Sequence, residues 1–364
     1  MSRIVFAPDS FKGTVSAPDA ANALARGWRA VRPDDDVVLR PMADGGEGTI
    51  DAFAAAMPAA ERRPVTVRGP LSAPVQAEWL LLPGDQPAAV VELASTSGIT
   101  LLDPLAPLDA HTAGFGEAIA AALDHGVERL LLAVGGSAST DGGVGALAAL
   151  GARFLDAAGR PIRLGNRGLG TLVRVDLSDL RPLPPGGAVI LSDVDNPLLG
   201  ARGAAAVFGP QKGADAAMVD MLESNLARLA RLFPADPRAP GGGAAGGTGF
   251  GLLAWGARMG GGAGVVAEAM GLPAALDDAE LVVTGEGRFD GQTAAGKVPA
   301  EVVRLAQEAG VPVALAAGAI EADAASAGFA ASASLSVLAG GPAAAMADAT
   351  RWLEVAGAEL ARAL

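Results

Sequence analysis

The chain contains no cysteine. A disulfide framework and a thiolate metal site are therefore excluded, and nothing calls for an oxidising compartment. Histidine is almost as scarce: His111 and His125 are the only two, and each sits near the end of a predicted helix, where capping or solvation is the ordinary role. A Ser-His-Asp hydrolase does not fit. Aromatic residues make up 4% of the 364 positions; the four tryptophans, Trp28, Trp79, Trp255 and Trp352, fit apolar faces and read as core. No uninterrupted apolar run approaches the ~20 residues that span a bilayer. The opening Met1–Ser10 turns from strand to polar loop too soon for the apolar core of a signal peptide. The expectation is a soluble, cytoplasmic protein with no membrane partner. Positive charge is also short, since 27 Lys and Arg against 40 Asp and Glu leave a formal charge of -13. Such a surface repels a phosphate backbone, so nucleic acid is not expected, whereas a small anion could be held by a few cations gathered in one cleft.

What is present is a globular composition, 51% hydrophobic and 18% charged, in a chain long enough for two domains. The 50 glycines cluster in short runs without a Gly-X-Y period, which places them in loops where backbone approaches a ligand. Short Val/Ile/Leu runs, each followed by a polar or Gly-rich loop and then helical periodicity, point to βα units around a parallel sheet. They are Ile4–Ala7, Val37–Pro41, Arg129–Val134, Ala188–Leu191, Leu281–Thr284, Pro312–Ala316 and Ala333–Leu338, with helices predicted over Asp19–Val31 and about Ile50–Met57. Between Val65 and Ala94 three runs are separated by turns instead, which reads as antiparallel and as the start of an inserted domain, the chain returning near Leu281. Pro234–Gly247 reads either as a linker or as an ordered loop beside Thr248–Gly251.

The residues able to do chemistry lie at predicted strand ends, where open parallel sheets place their ligands. In Ala7–Thr14, which contains Asp9 and Ser10, Lys12 can neutralise a phosphate or carboxylate; a solvated loop lysine is the plain alternative. Asp44 and Glu47, set among glycines, suit Mg²⁺ coordination or hydroxyl positioning, or simply the dipole of the following helix. Gly135–Gly143 includes Gly136, Ser137, Ser139 and Asp141 and offers backbone donors with three hydroxyls, a cradle for phosphate oxygens. It is neither a Walker A loop nor a Gly-x-Gly-x-x-Gly fingerprint, and a tight βα turn capped by Asp141 accounts for it equally. Asp193 and Asp195, in Ser192–Pro197, concentrate carboxylates as a metal-nucleotide complex or an acceptor base requires, although Asp and Asn also form ordinary turns. Phe208–Gly213 supplies Lys212. In Thr284–Thr293, followed by Gly296 and Lys297, Arg288 could hold a carboxylate bidentately and Asp290 could orient a hydroxyl or a metal-bound water, with a surface ion pair as the alternative.

Taken together and in order, Ser10–Thr14, Ala43–Thr49, Gly135–Gly143, Asp193–Leu198, Phe208–Gly213 and Thr284–Asp290 resemble the bacterial glycerate kinases, and the resemblance spans nearly the whole chain. It implies an α/β fold of two α/β domains. One is a Rossmann-like parallel-sheet domain made from both chain ends, residues 1–62 plus 280–364; the other is a mixed α/β domain inserted as residues 63–279, with the active site between them. ATP and Mg²⁺ are the implied co-substrate and cofactor, and the implied reaction converts D-glycerate and ATP to 2-phosphoglycerate and ADP. A 3-phosphoglycerate-forming kinase, or a kinase of a related small hydroxy acid, is the alternative. On this reading Asp193 accepts or orients the acceptor hydroxyl proton, Asp44, Asp193 and Asp195 supply metal ligands, and Lys12 or Lys212 offsets charge on the transferred group. Asp9, Ser10, Lys12 and Arg288 bind glycerate, Asp290 assists, and Gly135, Gly136, Ser137, Ser139, Asp141 and Lys212 meet the nucleotide phosphates, with Thr248–Gly251 as second choice. Relatives commonly carry Ile and Ser where this chain has Phe289 and Gly291, which bears on acceptor fit rather than chemistry. A dehydrogenase lacks its fingerprint here, and a sugar-acid-sensing module has no need of so many acids and lysines at strand ends. Homo-oligomerisation is left open.

Overall fold

The computed structural model describes residues 2–290, 298–321 and 328–364, so Gly291–Lys297 of the last motif lies outside the described residues. The chain divides into two compact units: Met1–Asp44, Asp51–Pro58 and Gly261–Leu364 form the first, and Gly45–Ile50 with Ala59–Gly260 form the second. Along the chain the first unit opens with β1 (Arg3–Pro8) and β2 (Asp36–Leu39). The second contributes β3 (Glu61–Arg68), β4 (Pro74–Leu82), β5 (Ala88–Glu92), β6 (Arg129–Ala133), β7 (Arg153–Leu155), β8 (Arg174–Asp176), β9 (Ala188–Leu191) and β10 (Arg258–Gly260). The first unit resumes with β11 (Leu281–Phe289), β12 (Val313–Ile320) and β13 (Ala331–Ser334).

The sheet of the first unit is wholly parallel, in the order β13-β12-β11-β1-β2. Ile4, Val5, Phe6 and Ala7 are all buried, as expected of a central strand covered on both faces. The helix Ala17–Val31 starts where the Ser16 side chain accepts from the Asp19 amide, and it presents Ala20, Leu24 and Trp28, four residues apart, to the core. Trp28 stands edge-on to Phe6 with centroids 6.0 Å apart, and its Nε1 donates to Asp35 at 3.1 Å, so the indole is buried with its one polar group satisfied. Against this helix lies the C-terminal helix Ala349–Ala363. Glycine permits the approach: a Cβ on Gly27 would sit 1.8 Å from the Glu354 carbonyl oxygen, and one on Gly357 would sit 2.1 Å from that of Leu24.

The second unit carries a mixed sheet, β10-β9-β6-β5-β4-β3. β3, β4 and β5 pair antiparallel, which accounts for the turns between Val65 and Ala94, and β5, β6, β9 and β10 pair parallel. A small antiparallel pair, β7 and β8, stands apart from it. Pro234–Gly247 is ordered support rather than a linker. It leads into the helix Ala244–Trp255 through three left-handed residues, Ala245, Gly246 and Gly247 (φ 52, 66 and 87°), and Gly246 lies so close to Ser139 that a Cβ would come within 2.1 Å of its carbonyl oxygen.

Boundaries in the C-terminal part of the chain differ from the sequence pattern, and β12 runs on to Ile320 where the pattern ends at Ala316. β11 does not stop at Thr284 but continues to Phe289, because β12 pairs with it from Val282 opposite Val313 to Phe289 opposite Ile320, and Gly285 tolerates a carbonyl that would lie 2.1 Å from a Cβ. The run Ala333–Leu338 is strand only to Ser334 and then turns helical over Leu335–Leu338. Periodicity in so short an apolar run does not separate the two states. Trp28, Trp79 and Trp255 are buried, while Trp352 is half-buried beneath the Arg351 guanidinium at 5.0 Å. His111 accepts the Ala113 amide at 3.3 Å next to the start of the helix Ala113–Asp124 and meets Ser72 at 2.9 Å.

Gly27→Ala tests the helix contact by sign. Helix propensity alone would stabilise the variant by up to ~1 kcal/mol, but overpacking against a backbone carbonyl costs roughly 1–3 kcal/mol. The expected result is a lower denaturant midpoint, whereas Arg29→Ala on the exposed face of the same helix stays within about 0.5 kcal/mol.

Candidate functional site

In the first unit, the parallel register sets Ala7 beside Thr284 and Pro8 beside Gly285 on one side, and Phe6 beside Leu39 on the other. The segments leaving the carboxyl ends of β1, β2 and β11 are thereby brought together, the position at which parallel sheets receive ligands. Asp9, Lys12, Asp44, Glu286, Arg288 and Asp290 all line one cavity of about 450 Å³. Ser10 lines it too, and its amide donates to Asp9 Oδ1 at 2.6 Å. Phe11, buried, anchors a tight turn in which Thr14 Oγ1 donates to the Phe11 carbonyl. That turn leaves Lys12 largely exposed, with Nζ 3.4 Å from Asp44 Oδ2. Asp44 is the main cause of an ammonium pKa above its ordinary value. Asp9 is only 6% exposed; burial first, and then the charge of Asp44, raise its carboxyl to about 8. Arg288 pairs with Glu321 and, at 3.7 Å, with Asp290. Glu286, which the sequence reading gave no role, belongs to the same group; its strand-end position was the available signal. Phe289 points elsewhere, into a small apolar cluster with Leu315, Ala317 and Phe329.

In the second unit, Gly135, Gly136, Ser137, Ser192, Gln211 and Lys212 line a cavity of about 200 Å³. Lys212 is 2% exposed; its Nζ donates to Ser137 Oγ at 2.8 Å and to the Ser139 carbonyl at 2.5 Å. Burial lowers its pKa to about 7, partly opposed by Asp141. Asp141 is wholly buried and its carboxylate is engaged by the protein itself. It accepts from the Thr112 amide and hydroxyl (3.0 and 2.9 Å) and from the Gly143 and Gly145 amides (3.2 and 3.1 Å), so it ties the loop to the following helix. Ser139 is wholly buried. Asp193 is half-buried next to Ser192, whereas Asp195 is exposed and held by Arg202 at 3.0 and 3.2 Å. Glu47 is exposed, and the amide of Ile50, in the helix that follows it, is bound by Glu92 instead.

The fit of a divalent cation follows from the charges. Burial first, and then the charges of Asp44 and Glu286, raise Asp9, with the Ser10 amide and Lys12 opposing them; added positive charge would relieve the carboxylate surplus. Among the described residues no three His, Cys, Asp or Glu side chains are arranged to hold a metal ion by themselves. Mg²⁺ commonly needs only one or two carboxylates, substrate phosphates and waters supplying the rest, so the residues suit a metal that arrives with a nucleotide.

Lysines, an arginine and carboxylates in the loops and strand ends of two α/β units mark the class, an enzyme of the phosphotransferase type. The chain belongs to the glycerate kinase family, whose model matches residues 4–364. It is 43% identical to the glycerate kinase of Halalkalibacterium halodurans over 88% of this chain and 86% of that protein. It is 42% identical to the glycerate 2-kinase of Escherichia coli over 85% and 84%. A crystal structure of a candidate glycerate kinase 2 from Salmonella typhimurium superposes with a TM-score of 0.84 at 40% identity, covering 100% of this chain and 98% of that one. No helix among the described residues is long and apolar enough to cross a membrane.

The buried lysine has a pH signature. With a folded pKa of about 7 against an ordinary 10.5, the folded state binds fewer protons than the unfolded state between those values, so stability rises with pH across that window and levels off below it. Lys212→Met should flatten this slope when Tm is measured from pH 7 to pH 10; an unchanged slope would place the lysine in a solvated setting.

Proposed function

We propose that this chain transfers the γ-phosphoryl group of ATP to the 2-hydroxyl of D-glycerate, releasing 2-phosphoglycerate and ADP. The observation that carries the reading is the gathering of Lys12, Asp44, Glu286 and Arg288 around one cavity at the ends of β1, β2 and β11, in a chain of this family. The preference for the 2-hydroxyl rests on the Escherichia coli relative's name. No disulfide framework calls for an oxidising compartment, and we place the reaction in the cytoplasm.

Phosphoryl transfer asks a protein mainly for positioning and for charge stabilisation. Asp193, on the loop after β9, orients the acceptor hydroxyl and takes its proton as the new oxygen–phosphorus bond forms and the bond to the ADP oxygen breaks. Lys12 offsets the negative charge of the transferring group, and Arg288 with Asp290 completes the charged rim. Asp44 is the carboxylate best placed for Mg²⁺, with Asp193 second; Asp195, engaged by Arg202, is the weakest of the three metal candidates. Mg²⁺, when bound with ATP, neutralises charge on the phosphates.

The test is a coupled assay of ADP release with Mg-ATP and D-glycerate, followed by NMR of the product. ADP release and a phosphate on C2 are expected; phosphate on C3 would move the acceptor assignment, and no ADP release would end the kinase reading. Asp193→Asn should lower kcat by roughly 10²–10⁴ with little change in nucleotide affinity. Near-normal turnover in both Asp193→Asn and Asp193→Ala would remove Asp193 from the mechanism.

A further inference from the structure

We infer that the cavity of the first unit is the nucleotide site, with the adenine ring lying against a wall made by Leu335, Pro342, Ala345, Met346 and Ala349. The inference rests on the kinase reading above and allots that reaction's substrates. Size is the first argument. At about 450 Å³ the cavity lies within the range of roughly 300–1,000 Å³ usual for ligand pockets, while the 200 Å³ cavity of the second unit falls below it. A three-carbon acid would leave most of the larger space to water, whereas a nucleotide would fill it.

Lining chemistry is the second argument. Part of the lining of the larger cavity is charged, with Lys12, Asp44 and Arg288; another part is apolar and comes from Leu335–Leu338, Pro342–Ala347 and the start of Ala349–Ala363. Every carbon of glycerate bears oxygen, so the acid has nothing to bury on that wall. A purine has two apolar faces and a polar edge. Met346 is 64% exposed at the cavity, and a thioether gives an adaptable and favourable contact to an aromatic ring. Ser336 Oγ, which donates to the Gly318 carbonyl at 2.6 Å and also lines the cavity, is within the wall to meet the ring's edge. Phosphates extending from such a ring lead toward Lys12 and Arg288, and toward Asp44 for their metal.

The smaller cavity supplies an independent argument, because its glycine loop has spent many of its donors. The Gly135 amide donates to Gly45, that of Ala138 to Ser97, that of Gly142 to Gly246 and that of Gly143 to Asp141. These four of the nine amides break the loop into runs of two and three, which suit one small anionic group better than a polyphosphate. Ser137, Ser192, Gln211 and Lys212 offer hydroxyl, amide and ammonium groups suited to a small hydroxy acid. Two sequence expectations are thereby exchanged: Arg288 faces phosphate rather than the glycerate carboxylate, and Gly135–Gly143 with Lys212 faces the acid rather than the nucleotide.

The wild-type protein, photolabelled with 8-azido-ADP and digested for mass spectrometry, should carry the label within Leu335–Ala349. Met346→Asp, a change at an exposed position, should weaken mant-ADP binding about tenfold, equivalent to about 1.4 kcal/mol, and leave the KM for D-glycerate unaltered. Label within Ser192–Lys212, or unchanged mant-ADP affinity in Met346→Asp, would overturn the site. The photolabelling and the mant-ADP titration both omit glycerate. Labelling at Leu335–Ala349 without glycerate-dependent ADP release would sink the reaction and keep the site; full turnover with the label elsewhere would do the reverse.

Discussion

The first unit depends on the ladder that pairs β1 with β11 on one side and β2 on the other. Ile4 lies opposite Leu281, although nearly the whole second unit intervenes in sequence, and each further residue of β1 keeps the same register to Pro8 opposite Gly285. Burial on both faces fixes that register, because a slip of one residue would turn Ile4 and Phe6 to the opposite face. The pairing continues past the strand: the Asp9 amide donates to the Gly285 carbonyl at 2.8 Å, and the buried Thr284 hydroxyl donates to Ala7 at 3.0 Å. Lys12 and Asp44 therefore face Glu286 and Arg288 because of backbone hydrogen bonds that none of their side chains makes.

Charge in this unit is arranged to stay unbalanced. Asp9 is buried beside other carboxylates, which is why its proton is held to about pH 8, and a purely structural interior would have little reason to keep it. Lys12 and Arg288 remain largely exposed at the cavity. A buried carboxyl that keeps its proton, with exposed cations around it, is an arrangement that an incoming phosphate and its metal can complete at small cost in reorganisation.

The second unit achieves rigidity differently. Asp141, Thr112 and Asn166 form buried side-chain anchors for the glycine loop, Asn166 donating to the Thr140 carbonyl at 2.8 Å and itself receiving Asn225. The loop is thus set from within. Lys212, reaching it from far along the chain, is a buried ammonium whose partners are a hydroxyl and a carbonyl, Ser137 and Ser139. Such a group is costly to keep charged without an anion, which matches its lowered pKa and gives an acidic ligand something to repay.

The sequence by itself determined the α/β class, the parallel strands, the antiparallel interruption at β3 to β5 and the strand-end positions of Lys12, Asp44, Asp193 and Arg288. These are local properties, carried by runs of apolar residues and by the glycines that end them. Tertiary structure alone decided that β11 runs on through Gly285 and Glu286, that Leu335–Leu338 is helical, that Asp141 is an internal tether and that Asp195 belongs to Arg202. It also decided that Met346 and Pro342 stand on the wall of the cavity holding Lys12. For the strand extension, the tether and the cavity wall the deciding partner, Ala316, Thr112 or a helix near the C-terminus, lies outside the segment's own sequence. Periodicity records which face of an element is apolar, but not which distant carbonyl, carboxylate or helix will be set against it.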